Sequence, residues 1–222
     1  MTNPAMTNPA HERNPHVMNV EFWVDPACPF CWTTARWIHD EVEPNRDISI
    51  TWRPISLKFK NDPPEDSPFY EPTVFTHGLL RVMESARAAE GDDAFFQLYW
   101  YYGTRIHHDK EMYFDPADGL SAVGLDTSHA AAFDDESWDK AIQVGMDEGL
   151  ELVGGDVGTP IIAITNSDGV KTGYFGPVIT KVPPTAKSVA MWDALVTMMD
   201  IDSFFELKRT RTEGPDPGAR PD

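Results

Sequence analysis

Two cysteines three positions apart are the residues in this sequence best suited to chemistry. Cys28 and Cys31 are the only cysteines among 222 residues, and they stand in the segment FWVDPACPFCW at positions 22–32. A Cys-x-x-Cys pair can form a redox-active disulfide, supply half of a zinc site, or be buried as two small apolar side chains. The elements that carry the pair help to decide between these uses.

An apolar strand ends just before the pair, and a helix begins with it. Residues 20–24 (VEFWV) predict the strand, and residues 28–42 predict the helix. The positions that recur at helical spacing are Cys31, Ala35, Ile38 and Val42. Residues 48–52 (ISITW) alternate in polarity and predict a second strand. This β-α-β order predicts two parallel strands joined by the helix.

The start of a helix favours a negatively charged thiolate at Cys28. Unpaired N–H groups and the positive end of the helix dipole lie there, and Pro29 suits the first turn. We therefore expect Cys28 to be exposed with a lowered pKa, and Cys31 to be shielded. In dithiol chemistry Cys28 would attack, and Cys31 would then displace the product from Cys28. Helical positions i and i+3 are close enough to form a disulfide.

The middle of the chain is helical, and strands return near the end. No strand pattern interrupts residues 63–152, where helices are predicted at 73–90, 92–107, 126–134 and 135–150. Residues 161–164 (IIAI) and 170–175 (VKTGYF) flank the turn sequence NSDG and predict a hairpin. Residues 184–199 predict a terminal helix. The fold class is therefore α/β with an inserted all-helical domain.

Thr159 and Pro160 precede the third predicted strand. A proline at the entry to a strand has no N–H to donate to the sheet, and one common solution is a cis bond at a bend. We expect the Thr159–Pro160 bond to be cis.

Charge and composition exclude several classes of partner. The formal net charge is −18. A surface so acidic repels nucleic acid and anionic lipid, and no apolar run is long enough to span a membrane. No signal-peptide pattern is present, so a cytoplasmic protein is expected. In that compartment a lone Cys-x-x-Cys pair is more often catalytic or metal-binding than a structural disulfide. No Gly-rich phosphate loop follows a strand, so no nicotinamide or flavin cofactor is implied.

The order of these motifs resembles the DsbA-like branch of the thioredoxin superfamily. Over about residues 19–213 the chain also resembles the mycothiol-dependent nitroreductases, which are cytoplasmic bacterial proteins that use mycothiol in place of glutathione. The segments that carry this resemblance are FWVDPACPFCW (22–32), RIH (105–107), GMDEGLELVGGDVGTPIIAI (145–164), YFGPVITKVP (174–183) and FFELKRTRTE (204–213).

The resemblance implies a thioredoxin-like domain at residues 17–62 and 153–213, and a helical insertion at 63–152 that acts as a lid. Composition adds a disordered arm at 1–16 and a loose tail at 214–222. The resemblance also implies mycothiol as reducing co-substrate, no tightly bound cofactor, and reduction of small electrophiles such as nitroaromatics or mixed disulfides. A homodimer is left open.

The resemblance also assigns roles to residues. Cys28 would be the nucleophile and Cys31 the resolving thiol, with Thr159 and Pro160 in a cis-proline loop. The further residues implied to line the substrate cleft are Pro29, Phe30, Asn61, Tyr70 and His107. Phe30 stands where a relative has Trp, which leaves the substrate preference open.

Other interpretations remain. The motif also suits a protein disulfide oxidase or isomerase of the DsbA type. A non-catalytic module that binds zinc or a partner protein is the alternative of another class, with His11 and His16 able to complete four ligands. A thiol-dependent isomerase or transferase is disfavoured by the second cysteine. The basic residues Lys208, Arg209 and Arg211 are either solvated or folded back onto an anionic group or a neighbouring chain.

Overall fold

The computed structural model describes residues 17–166 and 168–221, so the predicted disordered arm lies outside the described residues. The described strands form one mixed sheet in the order β2-β1-β3-β4. They are β1 (Met18–Val24), β2 (Ile48–Pro54), β3 (Ile161–Thr165) and β4 (Lys171–Phe175). β1 runs parallel to β2 and antiparallel to β3, and β3 runs antiparallel to β4. The predicted parallel pair and the predicted hairpin are both confirmed.

The helices surround this sheet. They are α1 (Pro29–Arg36), α2 (Leu57–Asn61), α3 (Tyr70–Glu90), α4 (Asp92–Thr104), α5 (Pro116–Ala122), α6 (Asp139–Val153) and α7 (Thr185–Met199). Wide π turns extend α1 through Trp37–Val42 and α4 through Arg105–Asp109. Tighter 3₁₀ turns cover Glu43–Asn45, Thr127–Asp134 and Glu136–Trp138. Helices α3 to α6 form the predicted all-helical insertion between β2 and β3. Its bounds at 63 and 152 and its role as a lid stay predictions.

The central strand β1 is buried on both faces. Val20, Phe22 and Val24 face the larger core, which also holds the apolar stripe of α1. Trp23 faces a smaller core on the other side of the sheet. Strand residues alternate between faces, so one short strand holds two layers of helices together.

Two glycines allow α6 to pack closely against the second face of the sheet. A Cβ at Gly145 would lie 2.7 Å from Pro54, and one at Gly149 would lie 2.8 Å from Trp23. The two positions are four apart and share one helix face. The indole nitrogen of Trp23 donates to the Gly145 carbonyl at 2.6 Å. The bare backbone of α6 therefore provides both the space and the acceptor that this buried tryptophan needs.

A buried polar network joins the helices that follow β2. Asp139, at the start of α6, accepts two hydrogen bonds from Arg81 of α3 at 2.6 and 2.9 Å. His77 of α3 lies 2.9 Å from the same carboxylate and 2.9 Å from the hydroxyl of Ser56. Ser56 caps α2 by accepting from the Phe59 amide. This network fixes α2 and α6 against the long helix α3.

Within residues 17–166 and 168–221, no helix combines the length and the apolar character needed to cross a membrane.

Candidate active site

Cys28 and Cys31 meet at the first turn of α1. Cys28 is the N-cap residue, and Pro29 occupies the first helical position. The Cys31 amide donates to Cys28 Sγ at 3.3 Å. A sulfur at this position takes the place of the oxygen that usually caps a helix, so the free amides of the first turn face it.

The two thiols have opposite electrostatic environments. The pKa of Cys28 is lowered, first by a hydrogen bond from the Cys31 thiol and then by the Thr159 hydroxyl, against the opposing effect of burial. Burial raises the pKa of Cys31 well above its usual value, and the neighbouring Cys28 adds to this. Of the two thiols, Cys28 therefore loses its proton first, and Cys31 keeps its own. This is the asymmetry that the helix position predicts.

The expected exposure of Cys28 is wrong. Cys28 is only 6% exposed, and Cys31 is fully buried. The loop before β3 packs directly on the first sulfur, with the Thr159 hydroxyl donating to Cys28 Sγ at 3.1 Å.

The sheet places Thr159 beside the pair. β3 runs antiparallel to β1, and Ile161 at its start pairs with Trp23 near the end of β1. The loops at these two strand ends are therefore neighbours. The Thr159–Pro160 bond is cis, and so is the Gly176–Pro177 bond after β4. The sequence interpretation missed the second one, whose Pro177 carbonyl accepts from the Thr34 hydroxyl of α1 at 2.8 Å.

Asp25 is a buried acid that the sequence interpretation did not single out. It is fully buried, and burial raises the pKa of its carboxyl to about 6. Its two oxygens accept from the Ala27 amide at 2.8 Å and the Leu57 amide at 2.6 Å. Its charge also raises the pKa of Cys28, so the carboxyl is electrostatically linked to the dithiol. In the sequence, Asp25–Pro26 indicates an ordinary turn, so the burial of this carboxyl cannot be predicted from it.

Trp32 of α1 and two histidines of the helical insertion form an aromatic wall. Trp32 stacks on His107 with ring centroids 5.6 Å apart, and its indole nitrogen donates to His108 Nε2 at 3.0 Å. His107 Nε2 donates to the Pro26 carbonyl at 2.9 Å. Burial lowers the pKa of His107 to about 4, so the ring is neutral at physiological pH. A Cβ at Gly103 would lie 2.3 Å from Trp32, so this wall is tightly packed.

A small cavity lies between this wall and the start of α1. Its volume is about 80 Å³, and Pro29, Trp32, His107 and Lys110 are among its lining residues. The C-terminal residues Pro215 and Pro217 line it too. Phe30 is covered instead by the Arg211 guanidinium, whose central carbon is 4.5 Å from the ring centroid. Pro29 and His107 thus share one cavity, and Phe30 lies beside it. That these three residues bind substrate stays a prediction.

Asn61 and Tyr70 are placed differently. Asn61 is exposed at the end of α2, and half-buried Tyr70 begins α3. Among the described residues, neither of them lines the cavity beside Trp32. Their roles in binding stay predictions.

The zinc alternative depends on residues outside the described ones, because His11 and His16 lie there. Within the described part of the chain, no group of three or more His, Cys, Asp or Glu side chains is arranged to hold a metal ion.

Comparisons with known proteins agree with this geometry. A family model described as the Rv2466c-like mycothiol-dependent nitroreductase Rv2466c matches residues 27–209. The uncharacterized protein Rv2286c of Mycobacterium tuberculosis is 26% identical over 202 residues, which are 87% of this chain and 82% of that protein.

Two solved structures share the fold. The cytosolic disulfide reductase DsbM from Pseudomonas aeruginosa aligns with a TM-score of 0.51 at 14% identity, over 81% of this chain and 98% of that one. The oxidoreductase DsbA from Xylella fastidiosa aligns with a TM-score of 0.50 at 16% identity, over 82% and 86%. At such identities the likeness shows the fold alone, and the predicted DsbA-like thioredoxin fold is confirmed.

Proposed function

Because the chain belongs to the Rv2466c-like family of mycothiol-dependent nitroreductases, we propose that mycothiol recharges its CPFC dithiol, which reduces small disulfides or nitroaromatics. That the chain is a thiol-disulfide oxidoreductase of the DsbA-like type follows from the family and the fold. The observation that carries the finer proposal is the polarised pair, a Cys28 thiol of lowered pKa beside a Cys31 thiol of raised pKa.

The pair performs reduction of a mixed disulfide in two displacements. The Cys28 thiolate attacks one sulfur of the substrate disulfide and expels the other as a thiolate. Once Cys28 is in the mixed disulfide, its negative charge no longer raises the pKa of Cys31. Cys31 then loses its proton and attacks Cys28, which releases the second thiol and leaves a Cys28–Cys31 disulfide.

Asp25 suits the role of proton acceptor in the second displacement. Its carboxyl, with a pKa of about 6, is mostly ionised at neutral pH and interacts electrostatically with Cys28. A buried base near the operating pH both accepts a proton and returns it in the reverse direction. The Thr159 hydroxyl stabilises Cys28 whenever Cys28 is a thiolate, either as the attacking or as the departing group.

Two molecules of mycothiol complete the cycle. The first attacks the Cys28–Cys31 disulfide and the second resolves the mixed disulfide, which yields the dithiol and oxidised mycothiol. With a nitroaromatic substrate, the dithiol supplies two electrons and two protons, and the nitro group becomes a nitroso group and water. We place this reaction in the cytoplasm, where thiols are kept reduced. Dimer formation stays a prediction.

The test compares wild type with Cys28→Ser and Cys31→Ser. Each protein is assayed for mycothiol-dependent reduction of a mixed mycothiol disulfide and of a nitroaromatic, and intrinsic tryptophan fluorescence follows the redox state. We expect Cys28→Ser to be inactive with both substrates. Cys31→Ser should accumulate a mixed disulfide on Cys28. Full activity of Cys28→Ser would contradict the proposal.

A protein disulfide oxidase of the DsbA type is the second candidate. The lowered pKa of Cys28 favours it, because stabilising the thiolate stabilises the reduced form and makes the disulfide more oxidising. The reduction potential separates the two. A potential well above that of cytosolic thiols would support the oxidase, and a potential close to theirs would support the reductase.

A further inference from the structure

The C-terminal residues do not form the loose tail that their composition suggests. After α7 the chain turns at Phe204, whose carbonyl accepts from the Tyr174 hydroxyl of β4 at 2.6 Å. Lys208 and Arg209 are exposed. From Arg211 to Arg220 the chain then runs past the start of α1. We call residues 211–220 the C-terminal strap.

The strap is attached to the thioredoxin-like part at its first half. Arg211 covers the ring of Phe30, the residue between the two cysteines. The Asp216 amide donates to the Thr180 carbonyl at 2.6 Å, and the Glu213 carboxylate accepts from the Thr180 hydroxyl at 2.9 Å. These contacts hold the strap against the same end of the sheet that carries the dithiol.

The second half of the strap is attached to the helical insertion and to α1. Arg220 donates to both oxygens of Asp109 at 2.7 and 3.0 Å. Arg36 of α1 donates to the Ala219 carbonyl at 2.9 Å. Asp109 ends the π turn that also carries His107. The strap therefore bridges the two parts of the protein that enclose the cleft.

Two prolines of the strap close the cavity. Pro215 and Pro217 are half-buried, whereas Gly214, Asp216 and Gly218 are exposed. This alternation is that of an extended chain with one face against the protein. The prolines complete the cavity of about 80 Å³ beside Trp32 and His107. Pockets for drug-sized ligands are typically about 300 Å³ or more, so the space that the strap leaves beside Pro29, the residue after Cys28, is small.

We propose that the C-terminal strap is a specificity-determining wall of the substrate cleft, which admits small thiols and disulfides to Cys28 and excludes polypeptides. The inference rests on the proposed reduction of small substrates by the dithiol, and it adds the structural reason for the size limit. A polypeptide disulfide needs room around its sulfur atoms, and the strap lies against Pro29 and Phe30, the two residues between the cysteines.

The test uses the pre-reduced full-length protein and its variants in single turnovers, so that no mycothiol is needed. The probes are hydroxyethyl disulfide, which is small, and insulin, whose disulfides lie in polypeptide. Oxidation of the protein dithiol is followed for each. The variants are a chain ending at Thr210, which removes the strap, and Arg220→Ala, which removes the link to Asp109.

We expect the chain ending at Thr210 to reduce insulin about tenfold faster than wild type, while its rate with hydroxyethyl disulfide changes far less. Arg220→Ala should raise the ratio of the insulin rate to the hydroxyethyl disulfide rate by a smaller factor. Arg46→Ala is the matched control, because it breaks an exposed two-bond pair with Asp193 away from the cleft. It should keep the wild-type ratio.

The remaining outcomes are also decisive. An unchanged ratio of insulin to hydroxyethyl disulfide rates in both variants would overturn the role of the strap. Failure of reduced wild type to react with hydroxyethyl disulfide would instead contradict the proposed function. If the shortened chain loses its circular dichroism signal, Arg220→Asp and the double variant Arg220→Asp, Asp109→Arg decide. The first should widen the range of substrates, and the second should restore the wild-type ratio.

Discussion

The two sides of the dithiol make different kinds of contact. On the sulfur side, the hydrogen bonds that the described residues make to Cys28 Sγ come from Cys31 and Thr159, and the charge of Asp25 acts on the same thiol. On the cleft side, the aromatic wall of Trp32 and His107 faces the prolines of the strap. The residues on the cleft side define the shape of the cleft, and those on the sulfur side stabilise the negative charge of the Cys28 thiolate.

This difference assigns separate tasks to the two parts of the fold. The thioredoxin-like part sets how readily Cys28 becomes a thiolate. In our proposal, the helical insertion and the strap set which molecules reach it. Variants on one side should therefore change the pKa of Cys28, and variants on the other side should change substrate selection and local stability.

The largest expected effect is on the pH dependence of stability. It comes from two buried titratable groups, Asp25 on the sulfur side and His107 on the cleft side. The pKa of Asp25 is raised from 3.8 to about 6, so its contribution to stability is full below pH 3.8 and is lost as the pH rises through 6. The pKa of His107 is lowered from 6.5 to about 4, so its contribution is full above pH 6.5 and is lost as the pH falls through 4. Each change corresponds to about 3 kcal/mol.

In the wild type, the effects of Asp25 and His107 on the free energy of unfolding change with pH in opposite directions and largely cancel. A variant of either residue reveals the effect of the other. In His107→Gln the free energy of unfolding should fall more steeply than in wild type as the pH rises from about 4 to about 6, because His107 no longer offsets the effect of Asp25. In Asp25→Asn it should fall as the pH drops over that range. Urea unfolding across the range measures both slopes. His39→Gln, at a partly exposed imidazole, is the control, and equal profiles for all variants would contradict the assignment.

Gly103→Ala should perturb the cleft side alone. The added Cβ would lie 2.3 Å from Trp32, so the indole has to move, at a cost of about 1–3 kcal/mol. We expect changed rates with the small disulfide and an unchanged pKa of Cys28. Gly149→Ala is the matched control, because its Cβ meets Trp23 at 2.8 Å on the far face of the sheet. It should lower stability without changing substrate rates.

Thr159→Val should perturb the sulfur side alone. It removes a hydroxyl that donates to Cys28 Sγ at 3.1 Å, so the pKa of Cys28 should rise. Alkylation by iodoacetamide below that pKa should slow about tenfold, because a hydrogen bond to a charged group is worth roughly 1.5 kcal/mol. Thr34→Val is the control. It removes a hydroxyl of α1, the helix that Cys28 caps, and this hydroxyl donates to the Pro177 carbonyl instead of to Cys28. If Thr34→Val slowed alkylation equally, the specific role of Thr159 would be lost.

Local sequence patterns were sufficient to predict much of the fold and the sulfur side. The stripe Cys31, Ala35, Ile38 and Val42 is fully buried, as its helical spacing predicts. The alternation in β2 and the turn before β4 predict the pairings that the sheet shows. These features depend on residues that are neighbours in the chain, so short windows reveal them.

The cleft side depends on contacts between distant residues. Arg220 and Asp109 are separated by 111 positions, and Arg36 and Ala219 by 183. A tail rich in proline and glycine gives no periodic signal, so nothing local indicates where it binds. The burial of Asp25 likewise follows from the amide of Leu57, 32 positions away. Only the folded chain brings these groups together.

We infer that different groups around Cys28 set thiolate stability and substrate access. The most direct test measures two quantities in wild type and in the chain ending at Thr210: the midpoint pH of Cys28 alkylation by iodoacetamide, and the ratio of the insulin to the hydroxyethyl disulfide reduction rates. We expect the same midpoint in both proteins and a higher ratio without the strap. A shifted midpoint with an unchanged ratio would contradict this division.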